Sequence, residues 1–320
     1  MKSNFTIVIH GGAGNVTKKN LSHEREIEYR DKMTEVLELG YDMLLKGGTA
    51  IDVVETGIKI MEDSPLFNAG KGSVFTHAGR NEMDAAIMNG KTLEAGAVAG
   101  VRTIKNPISA AKAVMEKSKF VLLSGRGAEQ FAKKHKIEIV DKSYFFDQMR
   151  WQQLLKIRNS GKTALDHSDT TGTRDPDGNI DKYGTVGCVV LDRHGNLAAG
   201  TSTGGLVNTR YNRIGDSPLI GAGTYANNET CAVSCTGHGE DFIRQVAAYD
   251  VSALMEYKNM TLKEATYEVI MNKMKRVNGR GGLIAVDSKG NFSMLFNTEG
   301  MFRGYADNLG NISMSIYNED

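Results

Sequence analysis

Apolar residues along this chain follow two rhythms. Phe5-Thr6-Ile7-Val8-Ile9 is mostly apolar and of strand length, and it runs into His10-Gly11-Gly12-Ala13-Gly14. From about Ser22 to Lys46 the spacing changes. Tyr29, Met33, Val36, Leu37 and Leu44 recur at helical intervals, and Gly47-Gly48 ends the helix they predict. Thr49 caps a second helix with Ile51, Val54, Ile58 and Met61 on one face, and Pro65 ends it. A glycine-rich loop, Leu66 to Gly72, precedes strand-like runs at 73–76, 82–88 and 95–101. Helices are expected over 107–117, from Gly125 to about Lys134 and over 143–158, with a short strand at 120–123.

From Asn159 to Tyr183 the apolar positions nearly vanish, which reads as a long polar loop. At Thr185 they return at once. Val186–Leu191 and Leu197–Thr201 flank the turn Asp192-Arg193-His194-Gly195-Asn196 as a hairpin. Leu283–Val286 and Phe292–Phe296 repeat it around Asp287-Ser288-Lys289-Gly290-Asn291. Between them lie a strand, Cys231 to Cys235, a helix from Gly239 to about Tyr257, and one opened by a Thr261/Glu264 capping box. Paired hairpins and paired helices point to layered α+β packing; the strict alternation of a doubly wound parallel sheet is absent.

Composition narrows the function. The 320 residues are 40% apolar and 24% charged, with 39 basic and 38 acidic side chains. A net charge of +1 argues against nucleic acid or an anionic membrane as partner. Gly is abundant at 36 and Pro scarce at 4, which favours tight turns inside a packed fold. Cys188, Cys231 and Cys235 match no disulfide or zinc spacing and read as buried thiols. With no apolar run of membrane length and no secretory pattern near the first residues, a cytoplasmic enzyme is expected.

Two nucleophile readings compete. Gly200-Thr201-Ser202-Thr203-Gly204 satisfies Gly-x-Ser-x-Gly, His10-Gly11-Gly12 resembles a lipase oxyanion motif, and Asp216 and His238 follow in triad order. That serine esterase needs a helix directly after Ser202, and Gly204-Gly205-Leu206-Val207-Asn208 has no helical period. The other reading is Thr185. A threonine hydroxyl needs a base beside it. An N-terminal threonine supplies one in its own amine, with an ordinary pKa of about 7.7–8.0. Cleavage between Gly184 and Thr185, at the end of a polar loop, would create that amine.

The chain around Thr185 resembles the isoaspartyl peptidase/plant-type L-asparaginase family. The resemblance rests on Thr185-Val186-Gly187, Gly200 to Gly205, Arg213 to Pro218, Gly221 to Ala226 and Ser234 to Glu240. Upstream, His10 to Gly14, Pro65 to Gly70 and Glu94 to Gly100 fit the same order. It implies an N-terminal-nucleophile hydrolase with a four-layer αββα sandwich. It also implies one domain, 1–320, cut into an alpha subunit 1–184 and a beta subunit 185–320, and a homodimer of αβ units. The implied substrates are L-asparagine and β-aspartyl dipeptides.

On the same resemblance, Thr185 is the nucleophile of both self-cleavage and hydrolysis, and Thr203 tunes its hydroxyl. Arg213 takes the substrate α-carboxylate and Asp216 its ammonium. Thr236 and Gly237 form the oxyanion hole, Gly239 meets the substrate amine, and Asn68 reaches in from the first half. Backbone carbonyls of Met61, Glu62, Ser64, Phe67, Ala69 and Lys71 are implied as a sodium loop; no redox cofactor or catalytic metal is. His238 departs from the Thr or Asp expected at its position. A relative acting on glycosylated asparagine and a catalytically silent binding protein of the same fold are the remaining alternatives.

Overall fold

The run after Phe5 forms strand β1 (Thr6–Gly14), and all nine residues are buried. A strand buried on both faces needs cover on both. Helices α1 (His23–Leu45) and α2 (Ala50–Glu62) cover one, capped by the side chains of Ser22 and Thr49. Their buried Met33, Val36, Leu37, Val54, Ile58 and Met61 pack on Ile7 and Ile9. A computed structural model describes residues 4–159 and 184–319, so nearly all of the polar stretch before Gly184 lies outside the described residues.

The chain continues through β2 (Met83–Asn89), β3 (Ala95–Val101), α3 (Pro107–Lys117), β4 (Leu122–Ser124), α4 (Gly125–Lys134) and α5 (Gln148–Asn159). After the undescribed stretch come β5 (Thr185–Leu191), β6 (Leu197–Thr203), β7 (Thr224–Ala226) and β8 (Cys231–Gly237). Helices α6 (Gly239–Gln245), α7 (Ala247–Lys258) and α8 (Leu262–Tyr267) follow. The last strands are β9 (Gly281–Asp287), β10 (Phe292–Phe296), β11 (Gly300–Asp307) and β12 (Ile312–Tyr317). The order in one sheet is β12-β11-β1-β5-β6-β2-β3-β4, and in the other β10-β9-β8-β7. Among the strands of the described residues, only the β3–β4 pair is parallel. The fold is α+β, as the periodicity predicts.

Strand alternation sorts the core. In β5, Val186, Cys188 and Val190 face α1 and α2, whereas Val189 and Leu191 face the smaller sheet. In β8, Cys231, Val233 and Cys235 face α7 and α8, and Ala232 faces the larger sheet. The seam between the sheets is apolar around Val8, Val189, Ala199, Ala232 and Ile284. Farther along the same faces it turns polar, at His10, Thr201 and Ser234, and then at Thr185, Thr203 and Thr236.

Several boundaries differ from expectation. Residues 73–76 form no strand beyond one bridge, Phe75 to Asn81. The expected helix over 143–158 is split: Lys142–Phe145 is a 3-10 turn capped by Asp141, and α5 starts at Gln148. The expected helix from Gly239 breaks at Val246, whose φ of 50° is left-handed. The hairpin β11–β12 went unanticipated, although Asp307-Asn308-Leu309-Gly310-Asn311 is a third copy of the turn already seen twice. In each copy one aspartate oxygen accepts two backbone N–H groups: His194 and Asn196, Lys289 and Asn291, Leu309 and Asn311. No helix among the described residues is long and apolar enough to cross a membrane.

Gly187 is needed at the polar part of the seam. A methyl there would overlap Ser234 Oγ and His10 Nε2. Gly187→Ala should therefore destabilise the protein by about 1–3 kcal/mol, the usual cost of overpacking. An unchanged denaturant midpoint would refute this.

Candidate active site

Thr185 opens β5 and lies opposite Thr203, the last residue of β6. Both point into the seam, and both are buried. The Thr185 hydroxyl donates to Thr203 Oγ1 at 3.3 Å. Thr203 Oγ1 donates in turn to the Gly184 carbonyl at 3.3 Å and accepts Gly205 N–H at 3.1 Å. One hydroxyl thus touches both the candidate nucleophile and the carbonyl of the preceding residue. Thr236 lies on the facing strand, and its Oγ1 accepts Ala13 N–H at 3.2 Å. The glycine-rich end of β1 is in this way pinned to the second sheet.

Asn68 lies beside Gly184, where an added methyl would be 3.0 Å from Asn68 Cβ. Its amide is committed to the loop: Nδ2 donates to Gly205 O at 2.7 Å and Oδ1 accepts Val74 N–H at 3.0 Å. Gly237 faces Gly281 across β8 and β9, with φ values of 154° and 156°. A side chain at Gly237 would strike Phe242 and the Arg280 carbonyl, at 2.6 and 2.5 Å. Gly239 begins α6 and packs against Arg213 and Asp216.

The charged part of the site follows β6. Burial pushes the Asp216 carboxyl up to about 7, against the pull of its own backbone N–H and of Arg213. Its Oδ2 is buried with no hydrogen-bond partner among the described residues. A buried oxygen left open in this way is suited to a ligand's donor. Arg213 is gripped by Glu240, with Nε to Oε1 at 2.8 Å and Nη2 to Oε2 at 2.7 Å. His238 lies 3.3 Å from Glu240 Oε2 and 3.3 Å from Asp241 Oδ2, so it is wedged between two carboxylates and is not a free loop histidine. Asp84 on β2 accepts Gly100 N–H at 2.7 Å, and burial raises its carboxyl to about 6.

Sequence reasoning missed Glu240 and Asp84 as parts of this site. Glu240 ends the Ser234 to Glu240 block, but its contact with Arg213 spans 27 positions and has no local signal. Asp84 sits in an ordinary strand and left no signal.

The serine reading fails on geometry. Ser202 points to the helix face of β6, away from Thr203, and its hydroxyl donates to Glu62 Oε1 at 2.6 Å. His238, the histidine that reading needs, faces Glu240 and Asp241; His10 bonds Ser234 at 3.0 Å, and burial pushes its imidazole down to about 3. Residues 204–206 after β6 form no helix. Glu62, raised to about 8 by burial, is no substitute base, because it also accepts Ile108 N–H inside the core.

A family model described as asparaginase matches residues 3–316. The chain belongs to that asparaginase family. It is 50% identical over 302 residues to an isoaspartyl peptidase of Salmonella typhimurium, covering 94% of this chain and 95% of the relative. An isoaspartyl peptidase of Escherichia coli is also 50% identical over 302 residues, covering 94% and 92%. A plant-type L-asparaginase of Pyrococcus abyssi is 41% identical over 298 residues, covering 92% and 94%. The matched span includes every site residue named above, from His10 to Asp241.

Proposed function

We propose that this chain is a self-processing threonine hydrolase that releases L-aspartate from L-asparagine and from β-aspartyl dipeptides. The reading rests most on one observation: Thr203 Oγ1 bridges the Thr185 hydroxyl and the Gly184 carbonyl. In the uncut chain Thr203 polarises that carbonyl while Thr185 Oγ adds to its carbon. The Gly184–Thr185 C–N bond breaks, the acyl group moves from nitrogen to oxygen, and the hydroxyl proton ends on the freed nitrogen. Water then hydrolyses the ester, leaving a Gly184 carboxylate and a free Thr185 amine.

In the mature enzyme that amine takes the hydroxyl proton as Thr185 Oγ attacks the substrate β-carbonyl. Thr236 and Gly237 stabilise the oxyanion. Ammonia or the amine of the second residue leaves with a proton, and water hydrolyses the β-aspartyl ester to L-aspartate. Arg213 binds the α-carboxylate, while the open oxygen of Asp216 and the Gly239 carbonyl bind the ammonium. The test is N-terminal sequencing of purified protein together with assays of both substrates. A second sequence beginning Thr-Val-Gly-Cys, with ammonia released from asparagine, is expected. A single intact chain that turns over substrate would sink the mechanism.

Two groups must lose protons before substrate binds and reacts. Asp216 must ionise, and burial holds its carboxyl up at about 7. The Thr185 amine must be neutral, with an ordinary pKa of about 7.7–8.0. Log kcat/KM should therefore fall below neutrality with a slope approaching two. Asp216→Asn should reduce that slope to one; a slope of one in the wild type would exclude one of the two roles.

The larger arrangement fits the αββα sandwich of N-terminal-nucleophile hydrolases. One apolar cluster lies between helices and the larger sheet, one between the sheets and one between the smaller sheet and its helices. On this reading one domain, 1–320, becomes subunits 1–184 and 185–320, and two αβ units pair. Three buried free thiols are compatible with a cytoplasmic location.

The loop after α2 suits a hard cation by its donors. Carbonyls of Glu62 and Phe67 turn inward so closely that a methyl on Gly70 or Gly72 would overlap them. Among the described residues no group of three or more His, Cys, Asp or Glu could hold a metal. We assign the carbonyls of Met61, Glu62, Ser64, Phe67, Ala69 and Lys71 to a sodium ion that would stiffen the loop carrying Asn68.

A further inference from the structure

Recognition of a zwitterion places a contradictory demand on the site. Arg213 must offer open guanidinium hydrogens, and Asp216 a carboxylate not already paired with them, although both pack against Gly239 in a buried place. Nothing in their own chemistry prevents them from pairing with each other. A guanidinium and a carboxylate so placed attract strongly when desolvated. A collapsed pair would leave neither charge for substrate.

Three features keep them apart. Glu240 grips Arg213 from the side, through Nε and Nη2. That grip leaves both hydrogens of Nη1 and the second hydrogen of Nη2 free, the end-on fork a carboxylate takes. The guanidinium also lies in a slot between two glycines. A methyl on Gly215 would be 2.9 Å from Nη1, and one on Gly239 would be 2.7 Å from Nη2 and 3.0 Å from Asp216 Oδ1. Finally, His238 lies 3.3 Å from both Glu240 Oε2 and Asp241 Oδ2, which limits where the Glu240 carboxylate can move.

We propose that Glu240 is a positioning residue that holds Arg213 off Asp216, so that the open end of the guanidinium and the open carboxylate oxygen stay separate for the two ends of an aspartyl substrate. This rests on the reading of Arg213 and Asp216 given above. Glu240 suits the task because its charge persists. Burial disfavours its ionisation, but the hydrogen bonds and charge of Arg213 outweigh that and hold its carboxyl down at about 2. Asp216 cannot compete for the fork on equal terms while burial keeps its proton on until about pH 7.

The test is Glu240→Gln, assayed on L-asparagine and on a β-aspartyl dipeptide across pH. The glutamine keeps the size and one acceptor but loses the charge and the second acceptor. Removing one partner of such a hydrogen-bonded charge pair should raise KM by about 30-fold, with a smaller fall in kcat. Both substrates should suffer alike, since they share the aspartyl end. The acid limb of kcat/KM supplies the readout that mere loss of structure would not move. Asp216 is faced by Arg213 from its own loop, Glu240 from α6, Asp84 from β2 and Cys235 from β8. Once Arg213 swings onto Asp216, its proton leaves more easily, so the limb belonging to Asp216 should move to lower pH.

Coupling gives a second check. In an Asp216→Asn background Arg213 has no Asp216 to collapse upon, so adding Glu240→Gln should raise KM much less than it does in the wild type. An unchanged KM, a fixed acid limb, or strictly additive effects in the double variant would each overturn the proposal. Failure of the underlying function reads differently: the wild-type protein would then turn over neither substrate.

Discussion

Thr185→Ala protein should run on a denaturing gel as one band of 34.9 kDa and should release no ammonia from asparagine. Alanine removes the hydroxyl that attacks the Gly184 carbonyl in this mechanism, so no second N-terminus should form. The loss of turnover should be about 10⁴-fold or more, as for removal of a nucleophile in other hydrolases. The fold should survive, because Thr185 gives up one 3.3 Å hydrogen bond and keeps its place in β5. Ser202→Ala is the informative companion. It breaks a bond to Glu62 in the core and should lower stability, yet the protein should still cut itself. Processing of the alanine variant at Thr185 would refute the mechanism.

Arg213→Leu should have the next largest effect, a fall in kcat/KM of about 10²–10³-fold, carried mainly by KM. The change removes the α-carboxylate clamp and leaves Glu240 without its cation. Arg213→Lys should recover little of the loss. An ammonium is a point donor and cannot serve Glu240 from the side and a substrate carboxylate end-on together. Self-cleavage should proceed in both variants, because the contacts around Gly184 involve Thr203 and not Arg213. An unaltered KM in Arg213→Leu would remove Arg213 from substrate recognition.

Legibility in the sequence followed the physical range of each signal. Helices α1 and α2 were readable because their caps and buried stripes are local: Ser22, Thr49, Met33 and Ile58 declare themselves within a few residues. The hairpins at Asp192 and Asp287 were readable for the same reason, and the one at Asp307 could have been. The exposed positions of β12 blurred its pattern, with Ile312 and Ser313 outward. Val246 could not be foreseen as a break, because its left-handed backbone is imposed by packing; Ala248 and Tyr249 reach back to the carbonyls of Ala222 and Gly221.

The candidate site shows the same division. Thr185, Thr203, Arg213 and Asp216 stood in the sequence only as members of ordered blocks. What brings them together is the pairing of β5 with β6 and the turn after it. Asp84 lies about 130 residues from Arg213 in sequence, and no local pattern carries that relation. His238 read as a lone departure; its place between Glu240 and Asp241 emerged from the start of α6.

The order of strands in the larger sheet bears on what a cut at Gly184 would leave behind. Read across that sheet, β12 and β11 come from the distal fragment, β1 from the proximal one, β5 and β6 from the distal one, and β2, β3 and β4 from the proximal one. The two fragments are interleaved like the fingers of clasped hands. Separating them would tear the ladders β11–β1, β1–β5 and β6–β2 along the middle of the core. Dilution should therefore fail to dissociate the processed enzyme, and dissociation and denaturation should be one event. Recovery would then be a bimolecular search by two chains that were made as one. Cleavage of this kind would leave a protein whose lifetime is set by how slowly it first opens.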